Sequence, residues 1–239
     1  METASRRRGR SAFFLGLAGA LTVTALVGFA RSFYLQPLFD APPLTTLLIV
    51  HGVAATAWFA TLTAQALLAQ RGQIGLHRTV GTWGWLVALA VALSAVAIIV
   101  TTATDGVKTT SGLPESVGMF LQIGSVSWFS GLVLLAWRNT RRPDYHKRLI
   151  AMATIAMMAP VFARISRLFR DGGPPPFDSA YAASVFIAAL AWHDWRTLGR
   201  LHPVTLLAGG GYLAFVAMRM PIARSEVWNQ TIVPVLIGG

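Results

Sequence analysis

Three side chains that could do chemistry recur at seven-residue intervals in one long apolar segment. His51, Trp58 and Gln65 lie within residues 45–78, and residues seven apart on a helix return to nearly the same face. An imidazole or an amide in a lipid-spanning helix normally faces protein or a cavity rather than lipid. The spacing therefore predicts a polar stripe that points into the protein and can exchange hydrogen bonds there.

A first candidate site collects polar residues that we expect near the outer ends of the helices. His51 is expected at a depth of about 9 Å, from a helical rise of ~1.5 Å per residue. Polar groups that converge at such a depth suit a small polar or anionic headgroup. The predicted ligand-binding set is His51, Gln122, Arg164, Tyr34 and Arg31. In the alternative, the arginine side chains only extend to the outer membrane–water interface, and His51 forms a hydrogen bond with a neighbouring backbone group.

A second candidate site collects four histidines that we expect at the cytoplasmic ends of helices. Asp144 and Asp194 lie close to them in sequence, and imidazole and carboxylate are ligands that zinc, iron or manganese would use. No HExxH or HxxxH spacing occurs in the chain. The candidate metal ligands are His77, His146, His193 and His202.

Two alternatives compete with a metal at these histidines. Basic residues follow His77 and His146, including Lys147 and Arg148 after the second. Because helix starts favour anions, this pattern also predicts contacts with lipid phosphates. Haem b held by two histidines would need both ligands at one depth inside the membrane, and His51 has no histidine partner at its expected depth.

The composition is that of a membrane protein. Of the 239 residues, 54% are hydrophobic and 12% are charged, whereas a soluble domain carries about twice that charged fraction. The net charge of +11 comes mostly from arginines at the ends of apolar segments. Nucleic-acid binding would need a basic patch on a soluble module, and no such module is expected. The absence of cysteine excludes disulfides, thiolate nucleophiles and iron–sulfur clusters.

The elements that position these residues are predicted to be transmembrane helices in an all-α bundle. A spanning helix needs roughly 20 apolar residues. Seven segments qualify, at about 11–30, 44–69, 79–101, 117–137, 148–167, 178–193 and 203–219. Six spans remain possible if the last pair does not cross fully. Pro160 is expected to kink the fifth helix, because it offers no N–H to the carbonyl of Ala156.

Basic residues predict the orientation of the bundle. With the N-terminus inside, 13 lysines and arginines lie in inner segments and 7 in outer ones, as the positive-inside rule requires. Residues 1–10 are therefore predicted to be a basic cytoplasmic segment, 11–219 the bundle and 220–239 an extracytoplasmic tail. The first apolar run has a basic flank like a signal peptide, but we expect it to be retained as the first span.

The order of motifs resembles a family of uncharacterised bacterial inner-membrane proteins of the domain-of-unknown-function kind. The motifs are an HG pair at His51, LHRTVG at 76–81, DYHKRLIAMAT at 144–154 and ARISR at 163–167. In that family HR-x-x-G and HKR-apolar segments open two helices of one bundle. The resemblance implies a multi-pass bacterial inner-membrane protein and carries no established activity. The chain is also distantly similar to b561-type cytochrome modules, which place paired histidines inside the membrane.

These observations predict a binding or transport role. The expected ligand is a small or lipid-like molecule, held in a polar pocket of the outer leaflet, and membrane lipids are the expected partners. One alternative is a membrane redox or metal-dependent enzyme with haem b or a divalent metal at the histidines. Another is a scaffold or assembly factor with no catalytic site.

Overall fold

The computed structural model of the protein describes residues 4–39, 43–105, 113–168 and 179–237. Side chains of residues 4–11 lie outside this description, as do residues 1–3 of the predicted cytoplasmic segment and residues 238–239 of the predicted tail. Helices take up nearly all of the described residues, and no strand occurs among them. The prediction of an all-α fold is confirmed.

The described part of the chain forms ten α-helices. They are α1 (Ala4–Phe29), α2 (Thr46–Gln70), α3 (Ile74–Asp105), α4 (Glu115–Arg138), α5 (Pro143–Ala156), α6 (Ala159–Leu168), α7 (Ser179–Ala182), α8 (Ser184–Leu198), α9 (Pro203–Ala223) and α10 (Val233–Ile237). Wider π-helical turns at Ala30–Tyr34 and Val227–Ile232 extend α1 and precede α10. A 3₁₀ turn at Gln36–Leu38 follows the first of these.

Five of these helices are long and apolar enough to cross a membrane. They are α1 with its π-helical extension, α2, α3, α4 and α9, and α5 with α6 makes a sixth if the bent pair counts as one span. The predicted segment 178–193 corresponds to α7 and α8, of 4 and 15 residues. Large apolar side chains such as Leu93 and Leu207 point outward, 61% and 73% exposed, as lipid-facing residues do.

Helix α5 lies at the centre of the bundle. It contacts α1, α4, α8 and α9, and Met152, Ala153 and Ile155 are completely buried. Trp58 of α2 also reaches it, because its indole N–H donates to Thr154 Oγ1 at 3.2 Å. Helix α5 is therefore held in place by packing along most of its length.

The span formed by α5 and α6 is bent by 45° at a break of two residues. Pro160 has no N–H to donate to the carbonyl of Ala156, so the kink predicted there is confirmed. Beyond the bend, α6 runs very close to α1. A Cβ on Gly28 would lie 2.6 Å from Val161 Cγ1 and 2.9 Å from its carbonyl oxygen, so this approach requires glycine.

A buried ion pair ties α5 to α8 and α9. Arg148 is 2% exposed and Asp194 0%. The Arg148 guanidinium donates to Asp194 Oδ1 from Nε at 2.9 Å and also from Nη2. The other carboxylate oxygen accepts from the Thr205 hydroxyl and from the His202 backbone N–H. The prediction that the basic residues after His146 contact lipid phosphates is therefore wrong for Arg148, whose partner is a carboxylate of its own chain.

His202 completes this corner as the N-cap of α9. Its Nδ1 accepts from the Val204 N–H at 3.2 Å, which requires that nitrogen to be unprotonated. Burial lowers the pKa of His202, and the charge of Arg148 lowers it further against the opposing effect of Asp194. The imidazole is therefore held in its neutral form.

The ion pair predicts a large asymmetry between single and double substitutions. Arg148→Met leaves the Asp194 carboxylate buried without its counter-charge and should cost about 3–5 kcal/mol of unfolding free energy. Adding Asp194→Asn removes that charge and keeps an acceptor for Thr205, so much of the loss should be regained. Denaturant unfolding in detergent, followed by circular dichroism, measures both. Wild-type stability in Arg148→Met would contradict the role of the pair.

The capping histidine predicts a pH dependence that one substitution isolates. Because the folded-state pKa of His202 lies below its ordinary value of 6.5, the unfolded chain takes up this proton first, and stability falls as the pH drops through that range. His202→Asn keeps a capping acceptor and does not titrate. The variant should lose less stability than the wild type between pH ~7 and pH ~5. Parallel curves for the two proteins would show that His202 takes no part.

Candidate functional site

A cavity of about 370 Å³ lies among α1, α2, α3 and α5, at the end of the bundle where α1, α3 and α5 begin. Most of its wall is apolar. Those side chains are Phe14, Leu17, Ala18, Leu21, Leu62, Ala66, Ala69, Pro143, Ile150 and Ala151. The polar lining residues are Gln65, His77, Asp144, His146 and Lys147. An apolar wall with a small polar group at one end is the usual form of a small-molecule site.

Both cavity histidines are oriented by backbone carbonyls. The Nδ1 atom of His77 lies 3.2 Å from the Gln65 carbonyl oxygen, and that of His146 lies 3.0 Å from the carbonyl oxygen of Ala136. Because a carbonyl can only accept, each Nδ1 carries the proton and donates it. Each neutral ring therefore keeps its lone pair on Nε2, and neither Nε2 is bonded to another described residue.

Among the described residues, the buried Gln65 amide has no hydrogen-bonding partner. Neither its Nε2 nor its Oε1 forms a hydrogen bond with any described residue, although both atoms are shielded from solvent. The amide packs beside α3 where Gly81 has no side chain, since a Cβ there would lie 3.3 Å from Gln65 Nε2. A buried polar group left in this way costs about 1–3 kcal/mol, so its presence in a cavity wall points to a missing hydrogen-bonding partner.

Charges at the rim of the cavity are paired with one another. Lys147 Nζ lies 2.6 Å from Asp144 Oδ1, and the Asp144 side chain is 61% exposed, which marks the open side. Lys147 also lies over the Phe14 ring, 4.8 Å from its centroid, and the Arg148 guanidinium lies 5.6 Å from the same ring. Phe14 therefore separates the cavity from the buried ion pair.

The predicted stripe on α2 faces the protein, as expected. His51 Nδ1 lies 2.9 Å from Ser94 Oγ, and that hydroxyl donates to the Ala90 carbonyl at 2.6 Å, so the imidazole is the donor. Trp58 donates a hydrogen bond to Thr154 of α5, and Gln65 lines the cavity. His51 and Gln65 are 14 residues apart, about 21 Å along the helix axis, so they serve opposite ends of the bundle.

The structure brings together two of the five residues predicted for the outer pocket. The Arg164 guanidinium donates to Ser32 Oγ at 3.2 Å and to the Pro160 carbonyl at 3.1 Å, and it lies 4.4 Å from the centroid of Phe29. Arg164 is within electrostatic range of His51, but no hydrogen bond joins the two side chains among the described residues.

The other three predicted residues have separate surroundings. The Tyr34 hydroxyl lies 2.8 Å from Thr56 Oγ1 on α2, and Arg31 lies over the ring of Phe39 at 4.8 Å. Gln122 is half-buried on α4, and no hydrogen bond joins its side chain to His51 or Arg164 among the described residues.

The four histidines proposed as metal ligands lie at one end of the bundle but in two groups. His77 and His146 line the cavity. His193 stacks on Phe13 with ring centroids 3.9 Å apart, and His202 caps α9. Among the described residues, no three histidine or carboxylate side chains are placed to hold one metal ion.

One sequence feature could have located the cavity. The turn between α2 and α3 is only Arg71–Gln73, with Gly72 at φ +72°, so the last turn of α2 must lie beside the first turn of α3. That geometry brings Gln65 and His77 together. Comparisons with protein-family models, curated proteins and solved structures found no match to the chain, so the resemblance to bacterial membrane proteins stays a prediction.

The orphaned amide predicts a stabilising substitution. In the ligand-free protein, Gln65→Met should raise the free energy of unfolding by about 1–3 kcal/mol, because it replaces an unpaired buried amide by an apolar chain of similar shape. Gln70→Met is the matched control on the exposed end of α2 and should change stability by less than about 0.5 kcal/mol. Denaturant unfolding in detergent compares them. A loss of stability in Gln65→Met would mean that the amide is already satisfied.

Proposed function

We propose that this protein binds a small amphipathic molecule in the cavity between α1, α2, α3 and α5. The observation that carries the proposal is the buried, unpartnered amide of Gln65 beside two imidazoles whose Nε2 atoms are unbonded within the described structure. These groups form a polar end to an otherwise apolar space. A molecule with a polar head and an apolar body would satisfy both parts.

The size of the cavity supports a small ligand. Its volume of about 370 Å³ is near the lower end of the range for small-molecule sites, roughly 300–1,000 Å³. A single-chain amphiphile or the head and first segment of a lipid would fill it. The role predicted from the sequence is thus retained, but the site is moved from the outer residues to the opposite end of α2.

We also propose that the chain crosses a bacterial inner membrane seven times, with its N-terminus in the cytoplasm. The basic residues support this orientation, with 13 in inner segments and 7 in outer ones, although Lys108 and Arg170 of the second group lie outside the described residues. The additional crossing, the sixth in chain order, would be formed by α7 and α8 together. The cavity would then open at the cytoplasmic face.

A second candidate role is the binding of a metal or haem at the cavity histidines. One observation favours it, since a ligating histidine usually donates its other ring N–H to a carbonyl, as His77 and His146 do. Against it, a metal site of three protein ligands is not assembled among the described residues. Amphiphile binding therefore accounts for more of the cavity, because it also uses the apolar wall and Gln65.

Photolabelling tests the proposal and locates the site. The protein in nanodiscs is labelled with a diazirine-bearing monoacylglycerol, and the labelled peptides are mapped by mass spectrometry. Labels should fall on the cavity segments of α1, α2 and α5. Ala66→Phe, which fills the cavity, should weaken labelling about tenfold, the effect of ~1.4 kcal/mol. His51→Ala is the matched control, because it removes an imidazole from the other end of α2, and it should label like the wild type.

Two outcomes would contradict the proposal. Equal labelling of wild type and folded Ala66→Phe would show that the probe binds elsewhere. A Soret band or a stoichiometric metal in the purified protein, lost in His77→Ala and kept in His51→Ala, would assign the cavity to the second role.

A further inference from the structure

Resting on the proposed function, we infer that the cavity selects an amphiphile with a neutral, hydroxyl-bearing head over one with a carboxylate or an ammonium head. A monoacylglycerol, with two free hydroxyl groups on one acyl chain, represents this class. The donors and acceptors that the cavity offers, and the pairing of its charges, favour such a head.

The histidines present acceptors to the cavity. Their Nδ1 protons are used by the carbonyl oxygens of Gln65 and Ala136. With its Nδ1 proton donated to a carbonyl, the neutral form of each ring has only the Nε2 lone pair left, and that atom can only accept. A hydroxyl group donates to such an atom. A carboxylate has no proton to donate, and its oxygens would meet two lone pairs.

The amide of Gln65 needs a partner that both donates and accepts. Its Nε2 is a donor and its Oε1 an acceptor, and both are buried and unbonded among the described residues. A hydroxyl group does both at once, which a carboxylate or an ammonium does not. Two hydroxyl groups on neighbouring carbons would match an amide beside two imidazoles.

Charge at the cavity is compensated before any ligand enters. Lys147 is paired with Asp144 at the rim, and Arg148 is paired with Asp194 behind Phe14. An ionic head would therefore find no free counter-charge among the described residues that line the cavity, and a buried unpaired charge is strongly unfavourable. A neutral head avoids this cost, while Leu17, Leu21 and Leu62 supply an apolar wall for the chain.

A matched series of probes tests the inference. Competition against the photolabel is measured in nanodiscs at pH ~8, where ordinary histidines are neutral, with a monoacylglycerol, a fatty acid and an alkylamine of equal chain length. The monoacylglycerol should compete about tenfold more strongly than either ionic probe, the effect of ~1.4 kcal/mol. His146→Phe keeps a ring of similar size but removes one acceptor, and Gln65→Met removes the amide. Both substitutions should reduce the tenfold advantage of the monoacylglycerol over the ionic probes, whereas His51→Ala should leave that advantage unchanged.

The possible results distinguish the head-group preference of the cavity from its binding of any amphiphile. Stronger competition by the fatty acid or the alkylamine, abolished in Ala66→Phe, would overturn the head-group assignment and keep the cavity as the binding site. Equal competition by all three probes would also overturn it. If Ala66→Phe were labelled as strongly as the wild type, that result would instead contradict the proposed function itself.

Discussion

The structure depends on one buried ion pair, between Arg148 at the start of α5 and Asp194 at the end of α8. Two charges can be buried in this way because both oxygens of the Asp194 carboxylate accept hydrogen bonds. Oδ1 accepts from Arg148, and Oδ2 accepts from the Thr205 hydroxyl and the His202 backbone N–H. The pair joins α5 to α8 and α9, which lie much later in the chain. The first turn of α5 cannot rotate without breaking the pair.

Fixing that turn also fixes the neighbouring side chains. Successive residues on a helix point about 100° apart, so Arg148 facing α8 directs Lys147 toward Phe14 of α1 and His146 toward the end of α4. His146, Lys147 and Arg148 therefore point in three different directions from one anchored turn. The polar end of the cavity is a consequence of the ion pair, although the pair lies outside the cavity.

Local patterns in the sequence predict much of the fold but only part of this site. Hydropathy is enough for the all-α class, Pro160 for the bend and seven-residue spacing for the inward stripe on α2. The ion pair could not be predicted in this way, because it joins α5 to α8 and no periodicity links distant helices. The same limit led to Arg148 being expected at lipid phosphates. The predicted outer pocket combined residues by depth alone, and depth does not determine which helices are neighbours.

Phe14 forms the wall between the cavity and the ion-paired corner. One side lines the cavity, and Lys147, Arg148 and the edge of His193 lie around its ring. A bound molecule that restricts this ring therefore also restricts the guanidinium next to it. Because thermodynamic linkage is reciprocal, a change that loosens the corner would also change the affinity of the cavity for the molecule proposed to bind there. Because Phe14 contacts both regions, occupancy of the cavity and rigidity of the ion-paired corner would be thermodynamically coupled.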